Sequence, residues 1–340
     1  MTVYFADKER LSKRRRNISL SEEFSSRIDG TASLIRIFLK YRRTYRNYFN
    51  VFFHVVKKKY PVRGILKNGN QVMLTSFFRS YNLAQFQDHK DIIDYNIMTG
   101  TVSITNLANM ATLSASRLKF EGGVDNGELV NIFLEDVYRI LPVKGKVVLD
   151  VGANIGDSSI YFALLGAGKV IGLEPFPDNY EIAKKNVGLN NFSDRISVLL
   201  AACGSYAGYI NISNGFKSGI ESHTNDDDVS RPGTNIPSIT LENILKEHDI
   251  KDGETVLKMD CEGCEYDIIL HASNTLLRQF SHMLIEYHKG YKDLKEKLEK
   301  SAFDVSTIKL TGEPGGPTTL QDTERPGEWY YIGYIYAKRK

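Results

Sequence analysis

The period of apolar and polar positions changes several times along the chain, and each change marks an element. From Ser33 to about Lys59, apolar residues recur in alternating steps of four and three at Leu34, Phe38, Tyr41, Tyr45, Tyr48, Phe52 and Val55. Arg36, Lys40, Arg43, Asn47, Asn50, His54 and Lys57 keep the same rhythm on another face. That spacing predicts one long amphipathic helix with an aromatic seam. Pro61 ends it, and Val62 to Leu66 with Gln71 to Thr75 around Asn68-Gly69 carry the signal of a β-hairpin. From Tyr81 to Gly123 the pattern is mixed and reads as an accessory layer, followed by a predicted helix from Glu128 to Ile140.

Beyond Pro142, short apolar runs alternate with amphipathic ones. Strands are predicted at 147–151, 169–174, 196–202, 255–260, 281–287, 303–309 and 330–337, and helices at 157–166, 177–190, 241–247, 265–277 and 291–301. A short hairpin strand is expected at 207–213 and a polar loop over 214–237. Strands alternating with helices demand a parallel sheet with right-handed crossovers, and the helix-free link to the last strand suits an antiparallel insertion. The fold class is therefore α/β, Rossmann-like, with a seven-stranded mostly parallel sheet and helices on both faces. The expected division is a basic arm and helix over 1–60, an accessory region with the hairpin over 61–123, and a catalytic domain over 124–340.

The run Val147-Val-Leu-Asp-Val-Gly-Ala-Asn-Ile-Gly-Asp157 carries the candidate chemistry, because a strand there runs through a glycine-bearing turn into a helix. Glu174, at the end of the next strand, stands 24 residues past Asp150, close to the spacing that sets a carboxylate on ribose hydroxyls. A dinucleotide fingerprint would place glycine at 154, where this chain has Asn. A cofactor with ribose and adenine but no pyrophosphate fits better, and S-adenosylmethionine (SAM) is the candidate.

Asp150-Val-Gly-Ala-Asn-Ile-Gly-Asp157, Glu174-Pro175, Leu257-Lys-Met-Asp-Cys-Glu-Gly-Cys-Glu265 and Leu284-Ile-Glu-Tyr-His288 resemble, in order, the motifs of the FkbM-like SAM-dependent methyltransferases. The resemblance runs from about Phe120 to Lys340. It implies a class I methyltransferase fold and O-methylation of a hydroxyl on a saccharide, glycoconjugate or other small metabolite. On this reading Gly152, Asn154 and Gly156 approach the cofactor, and Asp150 or Asp157 orients the loop or accepts from its ammonium. Asp157 could equally be a helix N-cap. Glu174 accepts the ribose hydroxyls, and the backbone at Ala201 or Ala202 meets adenine.

On the acceptor side, Asp260 and Glu262 are expected to orient a hydroxyl or bind a divalent ion, with Glu265 supporting the next helix. Three carboxylates within six residues are costly to hold together without cations, hydroxyls or a metal. His288 is the candidate general base, since a hydroxyl must lose its proton as the methyl arrives. Glu286, two residues away on the same face, could set its tautomer. The C-x-x-C of Cys261 and Cys264 has no second pair, so a zinc or redox role is not expected.

Charge is unevenly distributed. Residues 1–63 hold 16 Lys/Arg against 5 Asp/Glu, a net +11, which leaves −8 for the remainder. The seam of the N-terminal helix suits docking on the protein's own domain, a homodimer, or peripheral contact with an anionic membrane through residues 33–59. Residues 1–30 read as a mobile basic arm. Other readings are a non-catalytic methyltransferase-fold protein that binds a membrane or partner, and an RNA methyltransferase. Nucleic acid is the weaker expectation, since no Asn-Pro-Pro-Tyr type segment follows the fourth strand. Three cysteines, Cys203, Cys261 and Cys264, give no disulfide framework and point to a reducing compartment; with no signal-like or spanning apolar run the expected location is cytoplasmic, peripheral at the membrane if the helix binds there.

Overall fold

A computed structural model describes residues 34–105, 117–125, 128–213, 233–248, 250, 253–288, 290–309 and 333–340. They divide into two compact units, one ending at Thr75 and the other starting at Ser76. The expected arm at 1–30 and most of the expected loop at 214–237 lie outside the described residues.

In the first unit the long predicted helix is two helices, α1 at residues 34–44 and α2 at Tyr48–Val56. The backbone between them is taken by the hairpin, which consists of β1 (Val62–Ile65) and β2 (Gln71–Leu74) paired as expected. Arg46 N–H donates to Ile65 O at 2.6 Å, and Tyr45 bridges Leu66. The Asn47 side chain accepts from Ile65 N–H at 2.8 Å and donates to Arg63 O at 2.7 Å. Strand-type pairing at these residues replaces the helical bonds that an uninterrupted helix would need. The seam residues Tyr41, Tyr45 and Val55 are buried.

The second unit begins with α3 (Phe77–Asp88) and an antiparallel sheet of β3 (Ile93–Asn96), β4 (Thr101–Thr105) and β5 (Arg117–Glu121). These are the mixed region's elements. The helix expected from Glu128 to Ile140 is helical only over α4 (Leu129–Phe133), and Asp136 then takes a left-handed φ of 61°.

The core follows as β6 (Val147–Val151), α5 (Asp157–Leu164), β7 (Lys169–Glu174), α6 (Pro177–Leu189) and β8 (Ile196–Leu200). A side sheet of β9 (Ala202–Cys203), β10 (Gly208–Ser213) and β11 (Gly233–Ile239) comes next, so residues 233–237 pair with the hairpin strand instead of extending the loop. The chain continues through α7 (Leu241–Glu247), β12 (Thr255–Met259), α8 (Cys264–His271), α9 (Asn274–Leu277), β13 (Phe280–Tyr287), α10 (Lys292–Lys300), β14 (Phe303–Lys309) and β15 (Gly333–Arg339). The single helix expected over 265–277 is interrupted because Ser273 caps a new turn, accepting from Leu276 N–H at 3.0 Å.

The seven-stranded sheet has the order β14-β15-β13-β12-β6-β7-β8, with β15 inserted antiparallel between β13 and β14. Alternation along each strand sorts its two faces. Leu149, Val151, Leu257, Met259, Met283 and Ile285 join Leu245, Ile269 and Leu298 of α7, α8 and α10 in one core. Asp150, Lys258 and Glu286 take the opposite parity, and β6 lies where strand order reverses, between β12 and β7. In open α/β sheets that crevice is the ligand-binding position.

Candidate functional site

The turn after β6 brings the two halves of the crevice together. Gly152 has φ +80° and passes so close to β12 that a Cβ on it would stand 1.8 Å from Asp260 O. Only glycine fits that approach without displacing backbone. Gly156 at +81° packs against α6, where a Cβ would meet Ala183 at 3.3 Å. Between them Asn154 is also left-handed, at +48°, and its side chain accepts from Asn179 Nδ2 at 2.6 Å.

Glu174 closes the turn from β7. Its Oε2 accepts from Asn154 N–H at 2.8 Å and its Oε1 from Phe176 N–H at 3.0 Å. Each oxygen keeps a further lone pair, so the carboxylate can accept two hydroxyls while staying fixed. Burial pushes Glu174 up to about 8, against the pull of those two N–H donors.

Asp150 faces inward. Ser158 and Ser159 at the start of α5 donate to its Oδ2 at 2.7 and 2.6 Å, and Lys258 Nζ stands 3.2 Å from its Oδ1. With its side chain fully buried, Asp150 holds the loop and has no surface for an ammonium. Asp157 is the first residue of α5 after Gly156 at the cap position, so it is not the N-cap. Its oxygens accept from Glu128 and Ser158 N–H, both at 3.1 Å, and burial raises it to about 6.

Ala201 and Ala202 are buried near the end of β8; Ala201 N–H donates to Leu199 O, and Ala202 pairs with Ser238 of β11.

Lys258 is the residue that sequence reasoning missed. Register on β12 sets it beside Asp150, and its Nζ also donates to Gly152 O at 2.8 Å. Burial opposes the charge, yet Asp150 and Asp260 hold the ammonium protonated well above the ordinary lysine range. One cation thus ties β6, the glycine turn and β12 together.

The acceptor side is built on the ends of β12 and β13. Continuing their register by one step sets Asp260 beside Glu286. His288 Nε2 points at this group, 3.5 Å from Glu262 Oε2 and 3.9 Å from Asp260 Oδ1. Its Nδ1 is held at 2.7 Å by Oε1 of the buried Glu265, whose Oε2 accepts from Gly263 N–H at 2.9 Å. The partner fixing the ring is therefore Glu265, not Glu286. Desolvation works against the imidazolium, but the Glu265 bond and the charges of Asp260 and Glu262 raise His288 to about 9.

Glu286 is pushed well above the carboxylate range by burial and by Asp260 and Glu128, and Glu128 is itself raised to about 8 by desolvation and Asp260. Donor atoms of Asp260, Glu286 and His288 lie within 4.8 Å of one another, a set able to hold a divalent cation. Tyr138 and Tyr334 wall this face, with the Tyr138 ring 5.6 Å from Lys258 Nζ.

The expectation that the three cysteines form no disulfide does not hold. Glu262 at φ 56° and Gly263 at 115° fold the chain back so that Cys261 and Cys264 meet with Cα atoms 5.5 Å apart, joined in a disulfide. Cys203 is free and buried, and burial pushes its thiol up to about 12.

Residues 150–304 match the profile of the methyltransferase FkbM domain, and that span holds every group just described except Glu128, Tyr138 and Tyr334. Over that span the chain is similar to the methyltransferase FkbM domain. Within the FkbM domain lie both the glycine turn and the His288 cluster. Among curated proteins, the chain is 42% identical over 55 residues to the ribosomal protein L11 methyltransferase of Carboxydothermus hydrogenoformans, covering 16% of this chain and 18% of that one. It is 32% identical over 113 residues to protein arginine N-methyltransferase 1 of Saccharomyces cerevisiae, covering 30% and 32%. The chain thus spans about a fifth and a third of these relatives. The solved magnesium protoporphyrin IX methyltransferase of Synechocystis PCC 6803 with bound SAM aligns over 62% of this chain and 78% of that one, at 12% identity and a TM-score of 0.32. No helix among the described residues is long and apolar enough to cross a membrane.

Proposed function

We propose that this chain, whose residues 150–304 match the methyltransferase FkbM domain, is a SAM-dependent O-methyltransferase acting on a hydroxyl of a saccharide, glycoconjugate or small metabolite. The observation that carries the reading is the junction at Gly152, which sets the cofactor-side turn against the backbone of Asp260 in the acceptor cluster. The cofactor side fits SAM: the turn from Gly152 to Gly156 offers close backbone approach, and Glu174 offers two fixed acceptors for ribose hydroxyls. When bound, SAM supplies an electrophilic methyl group on a sulfonium.

The chain's own residues do the rest by position and charge. Asp260 and Glu262 accept from an acceptor hydroxyl and fix its direction. His288, oriented by Glu265, stands where that hydroxyl proton must go. The carboxylates of the crevice also favour a cationic donor. Glu265, buried and bonded to both His288 and Gly263, keeps the imidazole from turning away.

The test is transfer of labelled methyl from SAM to a panel of glycans and lipid-linked sugars, with RNA and protein acceptors alongside. Incorporation into a hydroxyl acceptor, slowed in His288→Ala while SAM binding is kept, is the expected result. Incorporation into RNA or protein alone would overturn the acceptor class, and full turnover in His288→Ala would remove the base.

A further inference from the structure

The break between α1 and α2 sorts the apolar residues of the N-terminal unit into two sets with different fates. Tyr41, Tyr45, Val51 and Val55 are buried, with the Tyr45 ring packed against Gly64 of the hairpin. Of the predicted seam, Tyr41, Tyr45 and Val55 are thus buried, whereas Leu34 is not. A second set stays outside: Ile35 is 55% exposed, Phe49 65% and Phe53 53%, and Leu34, Leu39 and Val56 are exposed with them. Phe49, Phe53 and Val56 recur at steps of four and three, so they share one face of α2. Phe38 meets Phe49 and Phe52 edge-on at 5.5 and 5.2 Å, which joins the apolar surfaces of the two helices.

Residues 34–59 hold eight Lys/Arg and no Asp/Glu. Lys57 Nζ sits 4.0 Å from the Phe53 ring centroid, at the rim of the apolar face, and Lys58 and Lys59 follow it. We propose that the α1–α2 pair docks on an anionic membrane surface, with Phe49, Phe53 and Val56 in the acyl boundary and Lys57 to Lys59 among the headgroups.

Two features select this occupant. Exposed aromatic side chains need an apolar medium, and the run Lys57 to Lys59 at their rim needs a negative one; an anionic lipid surface offers both. A second copy of the chain would bring an equally basic segment to the same place, and the like charges would oppose it. The helices are too short to span, so the pair lies in the interface plane.

The test is co-sedimentation of the full chain with vesicles of phosphatidylcholine alone or with phosphatidylserine added, at low and high salt. Expected is sedimentation with the anionic vesicles only, weakened by salt. The double variant Phe49→Ser/Phe53→Ser should lower partitioning about 10-fold or more. Lys57→Ala/Lys58→Ala/Lys59→Ala should lower it roughly 100-fold, at roughly fivefold for each basic side chain. These side chains are exposed, so the melting temperature of each variant should match wild type. The proposal is overturned by equal sedimentation with neutral and anionic vesicles, by none with either, or by a dimer that Phe49→Ser/Phe53→Ser dissociates. RNA binding in place of vesicle binding would also overturn it. No turnover is needed, so failure here leaves the methyltransferase reading untouched.

Discussion

Gly152→Ala isolates the contact on which the site's architecture depends. Two costs add. An L-residue at φ +80° carries about 1–2 kcal/mol of left-handed strain. The new Cβ would also stand 1.8 Å from Asp260 O and 2.9 Å from Asp260 C, backbone atoms that no rotamer change can move aside. Relief requires β6 and β12 to separate at their ends, an overpacking cost of about 1–3 kcal/mol. A total of about 3 kcal/mol corresponds to a fall in melting temperature of roughly 6–12 °C for a domain of this size. Gly145→Ala is the control, because Gly145 has φ +72° with nothing within 4 Å of its Cβ position and so reports strain alone. Differential scanning fluorimetry with and without SAM measures both. Gly152→Ala should melt well below Gly145→Ala and lose most of its SAM-induced shift. Equal melting of the two variants with the SAM shift intact would show that the approach of Gly152 to Asp260 does not set the pocket.

Other expectations follow from the charges. In the cofactor-free protein Glu128, Asp157, Glu174 and His288 all sit above their ordinary values, at about 8, 6, 8 and 9. A raised folded-state pKa contributes stability that is full below the unfolded value and lost as pH rises through the folded one. The melting temperature should therefore fall between about pH 5 and 9, and a flat or rising profile would contradict the burial of these groups. His288 must be neutral to accept a proton, so turnover should rise with pH to a midpoint between about 6.5 and 9; in His288→Gln it should drop about 10²–10⁴-fold with SAM affinity kept. Lys258→Met should leave Asp150 buried without its cation and destabilise the domain by about 3–5 kcal/mol, read by urea denaturation. Cys261 and Cys264 should resist alkylation until reduced, and turnover should fall on reduction as Glu262 is released; rapid labelling without reductant would contradict the disulfide.

Much of the core was legible because strand parity and register are local properties. Asp150, Glu286 and His288 share a sheet face by the same alternation that buries Leu149 and Ile285 on the other. What escaped depended on partners distant in sequence. Lys258 looked like an ordinary strand residue, and only the pairing of β12 with β6 sets it against Asp150. A lysine inside a five-residue strand that is otherwise Thr, Val, Leu and Met was the available signal, since such a charge needs a counter-ion. Glu286 was the natural guess for the partner of His288, but Glu265 reaches it from α8, across 23 residues of sequence. The break at Tyr45 to Asn47 was hidden because the apolar rhythm continues in phase across it, while Asn47 answers to Arg63 and Ile65. The disulfide turns on the left-handed backbone at Glu262, which residue spacing does not reveal.

Isothermal titration of wild type and Glu174→Ala with SAM and S-adenosylhomocysteine reads the pocket itself. Saturable binding to wild type is expected, weakened by about tenfold or more in Glu174→Ala, since two hydrogen bonds to a buried carboxylate are lost. Equal affinity in the two proteins would remove Glu174 from the pocket, and no binding of either ligand to wild type would contradict the methyltransferase account as a whole.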